Sequence, residues 1–543
     1  MCGIAGYINF KDNFIKNKEK NKNITESMVN ALYHRDISET GIWIGDCISF
    51  GRLHRAFEDD ENNQPMEKVV AGYQFVIVFN GELYNGEELK NELSAYGYNF
   101  TSKSDTEILL YSYIHYGALC SEKLNGVFSF CIWDSMRQRA FLCRDRFGTK
   151  PLFYSIKEDK IIFASEQKAI LKYPGIKPEV SVDGLRDIFS FSKSRGFGVF
   201  DGIYELRPGR YMICSRDGIR IKKYFSLSSK THVHNYDEAA ENVRYLVEDS
   251  VKRRIGSDVP MSVILSDDIS CDIICSIGKE NITSAYSIYN NEECDSFKNY
   301  TYLVCSNTER IENLYDCVHA ADLPVNGDTS VLYFCRQIRK KHKTVIDGKY
   351  KCNANNFENA DCILLDEVSK TLNVKDYALK KHRQTINEMI ICDENSAYTK
   401  EKKLKEWLGI NYYTSFLENV GRLSMASDIE VRFPFSDHRL IEYVYGISPK
   451  IKDEVLRDVG RYFVKTDFYA PRKYNPKNQY YEKMLKERVL DLISNRNEPI
   501  LSLCDFSKII NVCTKDFYDD KIKILEFILQ ANEWFKHYRV KIV

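Results

Sequence analysis

Apolar residues in the first two hundred positions fall into short runs separated by polar turns. FVIVF (75–79), FSFCIW (128–133), RAFLCR (139–144), PLFYS (151–155) and KIIFAS (160–165) all have strand length. The polar stretch DSMRQ joins the second run to the third, which predicts a hairpin. Helical spacing predicts helices over about 86–96 and 105–116. The first part therefore reads as mostly antiparallel sheet with helices laid against it. Residues 11–24 (KDNFIKNKEKNKNI) are polar and mostly basic, which predicts a solvated loop.

The pattern changes after about residue 228. Val243, Leu246, Val247 and Val251 recur at helical spacing, which predicts an amphipathic helix over 237–254 with Asp237 as its cap. SVIL (262–265), SAYSIY (284–289) and TVI (344–346) are strand candidates with helical patterns between them. That alternation predicts a parallel, doubly wound sheet. Beyond about 370 the pattern is mostly helical. The expected domains are 1–228 and 229–543.

The chain has 543 residues, 77 basic and 77 acidic side chains, and no formal net charge. That balance removes the global electrostatic case for nucleic acid or an anionic membrane as partner. With 44% hydrophobic and 13% aromatic residues, packed cores are expected rather than disorder. No stretch of 18 apolar residues is present, and MCGIAGYINF lacks the pattern of a signal peptide, so a cytoplasmic protein is expected. Its 17 cysteines then read mostly as reduced thiols. No CxxC pair occurs, and no metal site is expected.

Cys2 follows the initiator Met. With Met1 removed it would carry a thiol and a free α-amine, a nucleophile and a base in one residue. Asn80-Gly81-Glu82 closes a strand, so a side-chain amide and a backbone N–H could converge on an oxyanion; an ordinary N-G turn is the plainer reading. Arg52 is suited to a bidentate grip on a carboxylate. Ser104-Asp105-Thr106-Glu107 opens a helix, where capping and ligand binding are both open.

Together these pieces resemble the N-terminal-nucleophile (class II) glutamine amidotransferases, and among them the asparagine synthetases. The matching text is MCGIAGY, GRL (51–53), QPM (64–66), FNGELYN (79–85), SKSDTEILL (102–110), LNGVFSFCIWD (124–134), RDRFGTKPLFY (144–154) and FASEQKAIL (163–171). The resemblance implies an αββα sandwich of antiparallel sheets. It implies that Cys2 attacks the glutamine amide while Asn80 and Gly81 hold the oxyanion. Arg52, Glu82 and Asp105 would bind the glutamine's charged end. The family's HRGPDxxG reads here His34-Arg35-Asp36-Ile37-Ser38-Glu39-Thr40-Gly41, without the Gly-Pro centre.

The resemblance continues at SDVPMSVILS (257–266) and GRLSMASDIEVRFPFSD (421–437), implying an α/β synthetase domain related to ATP pyrophosphatases, with a helical extension. The family's pyrophosphate loop SGGxDS reads here Ser266-Asp267-Asp268-Ile269-Ser270-Cys271. Two glycines have become aspartates, and the family's aspartate has become Ser270. One like-charge pair at about 4 Å costs on the order of 4 kcal/mol at an effective dielectric of 20, about a thousandfold in affinity. After TVI the family's acidic pair is missing from Asp347-Gly348-Lys349, and Asp453 stands where the family has a lysine.

The sequence therefore predicts glutamine hydrolysis at Cys2 with no cofactor, and a synthetase half with a degenerate nucleotide loop at Ser266, Asp267, Asp268 and Ser270. ATP and Mg²⁺ would be needed only if that half is active. The first alternative is a working glutamine-hydrolysing asparagine synthetase with an atypical loop, and the second a non-catalytic regulatory protein. Glutamine is the expected small-molecule partner. The resemblance also allows a homodimer, and a protein partner for the second domain.

Overall fold

Strand after strand in the first unit buries alternate side chains against a second sheet and the remainder against helices, the period-2 signature of a strand covered on both faces. The computed structural model describes residues 3–32, 38–55, 64–191, 196–228, 230–256, 261–265, 268–287, 299–325, 328–349, 360–389, 397–464, 479–515 and 521–543. Met1–Leu185, Lys193–Ser226 and Tyr538–Val543 form one unit, and Arg186–Ser192 and Leu227–His537 the other.

The strands of the first unit are β1 (Ile4–Asn9), β2 (Ser38–Ile44), β3 (Ile48–Arg55), β4 (Met66–Val70), β5 (Tyr73–Leu83), β6 (Gly126–Asp134) and β7 (Arg139–Arg144). They continue with β8 (Phe153–Lys157), β9 (Lys160–Ala164), β10 (Glu179–Val180), β11 (Ile203–Glu205), β12 (Arg210–Ser215) and β13 (Gly218–Lys223). Two six-stranded antiparallel sheets result, in the orders β11-β8-β9-β1-β3-β2 and β13-β12-β7-β6-β5-β4. Val76 and Val78 of β5 join Ile4, Ile8, Phe50, Cys131 and Trp133 in the core between the sheets. Phe75, Ile77, Phe79 and Leu83, the alternate set, pack with Leu89 and Ile108 of helices α2 (Gly86–Ala95) and α3 (Asp105–Tyr116).

Two expectations change here. Residues 18–24 belong to helix α1 (Lys18–Asn30), not to a loop. Its buried face is partly polar, so no apolar stripe announces it: Asn21 accepts from the Tyr7 hydroxyl at 2.7 Å and donates to the Phe14 carbonyl at 3.0 Å, and Thr25 bonds Ser49. Asn80-Gly81 is no turn. β5 runs through it to Leu83, pairing Asn80 with Ser129 and Gly81 with Phe128.

A buried guanidinium organises the segment 144–154. Arg144 donates to the carbonyls of Lys150 (2.9 Å), Leu206 (2.8 Å) and Gly148 (2.8 Å), and pairs with Glu205 at 3.0 Å. Asp145 beside it accepts from the backbone N–H groups of Phe128, Phe147, Thr149 and Lys150. A second buried carboxylate, Glu107, ties the 101–102 loop to α3. It accepts from Thr101 and Ser102, main chain and side chain alike, and from Lys68. Burial alone would raise its pKa. The hydrogen bonds from Lys68, Thr101 and Ser102 outweigh burial and bring it down to about 2.

In the second unit, helix α4 (Tyr236–Ile255) is capped by Asn235 rather than Asp237. The sequence Asn235-x-x-Glu238 forms a reciprocal capping box, which satisfies two N-terminal groups at once and outcompetes a lone aspartate. A parallel sheet follows, as the alternation predicts: β14 (Met261–Leu265), β15 (Ile282–Ser287), β16 (Tyr300–Tyr302), β17 (Thr344–Asp347) and β18 (Glu430–Arg432). Its order is β16-β15-β14-β17-β18, so the winding reverses between β14 and β17. In such sheets ligands bind at the carboxyl ends of the strands flanking that switch. Helix α5 (Ile269–Ile277) leaves β14 there. The later chain is helical, including α6 (Asn307–Ala321) and α7 (Lys521–Tyr538), before β19 (Lys541–Ile542) pairs with β10. None of the described helices is long and apolar enough to cross a membrane.

Two measurements check these assignments. Arg144→Ala leaves Glu205 buried without its cation and should cost about 3–5 kcal/mol in urea unfolding; a loss under about 1 kcal/mol would contradict the hub. Glu107→Gln should cost about 1–3 kcal/mol at pH 7. Because the Glu107 pKa is depressed from 4.5 to about 2, its stabilisation is present above about pH 4.5 and lost as pH falls towards 2. The wild-type and Gln chains should converge at the acid end of that window.

Candidate functional site

The far end of β5 gathers the residues to which the sequence points. Asn80 is buried and continues the face carrying Val76 and Val78, which is the face between the sheets. Gly81 has φ of +152°, and a Cβ there would lie 2.1 Å from the Val127 carbonyl oxygen. Only glycine allows β5 and β6 to approach so closely. Two residues on, the Leu83 N–H donates to the Asp105 carboxylate at 2.8 Å. That contact answers the capping question at α3. Ser104 is the cap, accepting from the Glu107 N–H at 3.3 Å, while the Asp105 side chain reaches back to β5. Glu82 is half-buried between Gly81 and this hook.

On the opposing sheet Arg52 follows Ile48 and Phe50 along one face of β3 and is 3% exposed. It stands in register with Ile4 on one side and Gly41 on the other. The start of the described chain is fastened at the same place. The Leu53 N–H donates to the Gly3 carbonyl at 3.0 Å, the Ile4 N–H to Ser165 Oγ at 3.1 Å, and the Ser165 N–H to the Ile4 carbonyl at 2.9 Å. Cys2 itself lies outside the described residues, as do His34–Ile37 of the altered loop. The described part offers a buried cation, a buried amide and two carboxylates.

Three residues stand in the quoted text without a role that the sequence assigns. Gln64 is buried; its amide oxygen accepts from the Phe79 N–H at 2.7 Å and its amide nitrogen donates to Thr106 Oγ1 at 2.5 Å. It thus ties the residue before Asn80 to the residue after Asp105. Gly41 admits the Gln64 backbone, whose carbonyl oxygen would lie 2.0 Å from a Cβ. Ser129, directly across the ladder from Asn80, is fully buried, and its hydroxyl has no hydrogen-bond partner among the described residues. A serine inside FSFCIW was its only signal.

In the second unit Ser266 and Asp267 lie outside the described residues; Asp268 and Ser270 do not. Asp268 caps α5, accepting from the Ser270 N–H at 3.4 Å. Asp272 and Asp347 share its neighbourhood. Burial, and then the Asp268 charge, push Asp272 up to about 6. Burial also raises Asp347, with Asp268 adding to it and the Lys349 N–H opposing it. Carboxylates thus sit at the carboxyl ends of β14 and β17, the switch point of the sheet. Asp453 is exposed and pairs with Lys402 at 3.3 Å, whereas its neighbour Lys452 is buried against Glu406. The late segment 421–437 ends in a buried ion-pair cluster at Asp437. Burial would raise the Asp437 carboxyl, but Arg439 and Arg254 hold it well below the usual carboxylate range. Arg432 donates to the Arg254 carbonyl at 2.7 Å.

Residues 1–225 match the family described as glutamine amidotransferase domain, and residues 353–536 the family described as asparagine synthase. Asparagine synthetase (glutamine-hydrolyzing) 3 of Bacillus subtilis strain 168 is 30% identical over 620 aligned positions, covering 100% of both chains. Asparagine synthetase (glutamine-hydrolyzing) 2 of the same organism is 25% identical, covering 89% of this chain and 72% of that one. Amidase chry2 of Gibberella zeae is 31% identical over 55% of this chain and 46% of its own. These relatives lend no support to a lost synthetase activity in residues 229–543. Matched end to end by a relative at 30% identity, the chain belongs to the glutamine-hydrolysing asparagine synthetase family.

Proposed function

We propose that this chain hydrolyses glutamine at Cys2 and passes the ammonia to its second unit, where it forms an amide on aspartate or a related acid at the expense of ATP. The fastening of Gly3 and Ile4 beside Arg52, across from the end of β5, is the observation that carries the glutaminase half. With Met1 removed, the α-amine takes the thiol proton, the sulfur attacks the amide carbon, and Asn80 with the Gly81 backbone steadies the oxyanion. The proton passes to the leaving nitrogen, which departs as ammonia. Water then cleaves the γ-glutamyl thioester to glutamate and regenerates the thiol. Arg52 receives the glutamine carboxylate, and Glu82 and Asp105 its ammonium.

The end-to-end relation to a protein named as a glutamine-hydrolysing asparagine synthetase supports a working second unit. Asp268, Asp272 and Asp347 are oxygen donors, which suit a hydrated Mg²⁺ rather than a bare phosphate. Mg²⁺ and ATP, when bound, would supply charge neutralisation and the leaving group that activates the acid. The second reading is glutaminase activity without ATP use. It is favoured by the aspartate that caps α5 where the family has glycine.

Three outcomes are expected. Cys2→Ala should abolish glutamate release and leave the fold intact; unchanged turnover would refute the role of Cys2. Wild-type protein given glutamine, aspartate, Mg²⁺ and ATP should release pyrophosphate together with glutamate; glutamate alone would favour the second reading. The raised Asp272 pKa means that stability is lost as pH climbs from about 4 to about 6 and stays lost at pH 7. Asp272→Asn should therefore stabilise the protein by about 1–2 kcal/mol at pH 7 and not below pH 4. Saturating Mg²⁺ should narrow that difference if the carboxylates hold the ion.

A further inference from the structure

Among residues that neither site uses, three metal-ligating side chains converge on one seam. Glu533 and His537 stand four residues apart on α7, and so on one face of that helix. His319, in the last turn of α6, meets them. Its Nε2 lies 2.8 Å from a Glu533 carboxylate oxygen, and its ring stacks on that of His537 with centroids 3.9 Å apart and planes 27° apart. One ligand atom from each of the three lies within 4.8 Å of the others. We infer that His319, Glu533 and His537 bind one divalent transition-metal ion of the zinc type.

The donor set selects the class. Two imidazoles and one carboxylate suit Zn²⁺, Co²⁺ or Ni²⁺, whereas Mg²⁺ and Ca²⁺ take oxygen ligands. A neutral imidazole offers a lone pair near pH 7. The ligand atoms of a tetrahedral site with bonds of about 2.0–2.1 Å sit roughly 3.4 Å apart, so the three side chains need to draw closer and the stacked imidazoles need to turn out of their present planes for both in-plane lone pairs to meet one ion. The side chains of His319 and Glu533 are 38% and 25% exposed, which leaves an entry path and room for water as a further ligand.

The scaffold is set before any ion arrives. Trp534, next to Glu533, is fully buried and its indole N–H donates to the Asp322 carbonyl at 2.9 Å, just past the end of α6. One turn earlier, Gln530 accepts from the Val325 N–H at 2.9 Å and donates to its carbonyl at 3.4 Å. Further along the seam Arg310 of α6 stands 3.6 Å from Glu526 of α7. The two helices are thus held at fixed spacing on one side of the three ligands, and little ordering is left for the ion to impose. A bound ion would replace the hydrogen bond between His319 and Glu533 and would bridge the helices.

Chelator-stripped full-length protein, titrated with Zn²⁺ against a chromophoric competitor, should bind an equivalent that is lost or weakened in His319→Ala/His537→Ala. The weakening should be at least the roughly 10–100-fold found when an outer-shell partner alone is removed. Glu533→Gln keeps the shape, removes the anionic donor and should weaken binding in the same sense. Co²⁺ should give the visible bands of a nitrogen–oxygen site without thiolate charge transfer, and Zn²⁺ should raise the melting temperature of wild type only. Wild-type protein that binds no Zn²⁺, or a double variant that binds it as well as wild type, would overturn the assignment. A far-ultraviolet circular dichroism spectrum and a cooperative urea transition matching those of metal-free wild type would show that the variants are folded.

Discussion

A chain terminus is ordinarily the least ordered part of a domain. Here the strand that begins at Ile4 is paired along both edges, to β3 and to β9, in the middle of a six-stranded sheet. The hydrogen bonds at Gly3, Ile4, Leu53 and Ser165 extend that grip to the first described residue. The proposed nucleophile at Cys2 requires surroundings fixed relative to Arg52 and Asn80. Pairing on both edges fixes the strand from Ile4 onward beside β3 and β9.

The rest of the first unit holds the opposing sheet to the same standard. Gln64 locks the strand before Asn80 to the helix after Asp105, and Glu107 anchors the loop that leads into that helix. Arg144 and Asp145 fill the space behind β6 with fully bonded buried charges. The second unit uses the same device at Asp437, gripped by Arg254 and Arg439. At its sheet switch point, carboxylates face each other with raised pKa values. One arrangement is satisfied without a ligand, while the other carries a charge that a cation would relieve.

Elements packed on two apolar sides were legible in the sequence, because burial on both faces writes a run or an alternation. The hairpin from β6 to β7, helices α2 and α3, and strands β14, β15 and β17 all follow from it. β1 was not legible as a strand, since Ala5 and Gly6 interrupt its apolar run and the pairing partners are about 45 and 155 residues away. Helix α1 hid because Asn21 and Thr25 line its buried face. β18 is three residues long and gains its place only from the sheet it joins. Of the candidate site, Asn80, Gly81, Arg52 and Asp105 stood out as residue types, but the bridge through Gln64 depends on contacts that no local pattern encodes. The same holds for His319, which meets its partners across more than two hundred residues.

The central claim is the proposal that Cys2, once Met1 is removed, is the nucleophile of glutamine hydrolysis. Mass spectrometry of the amino-terminal peptide, after treatment with an electrophilic glutamine analogue, tests it most directly. A single adduct on Cys2 with Met1 absent, suppressed by excess glutamine, is the result predicted. An unmodified Cys2, or a chain that retains Met1 yet still hydrolyses glutamine, would contradict the account.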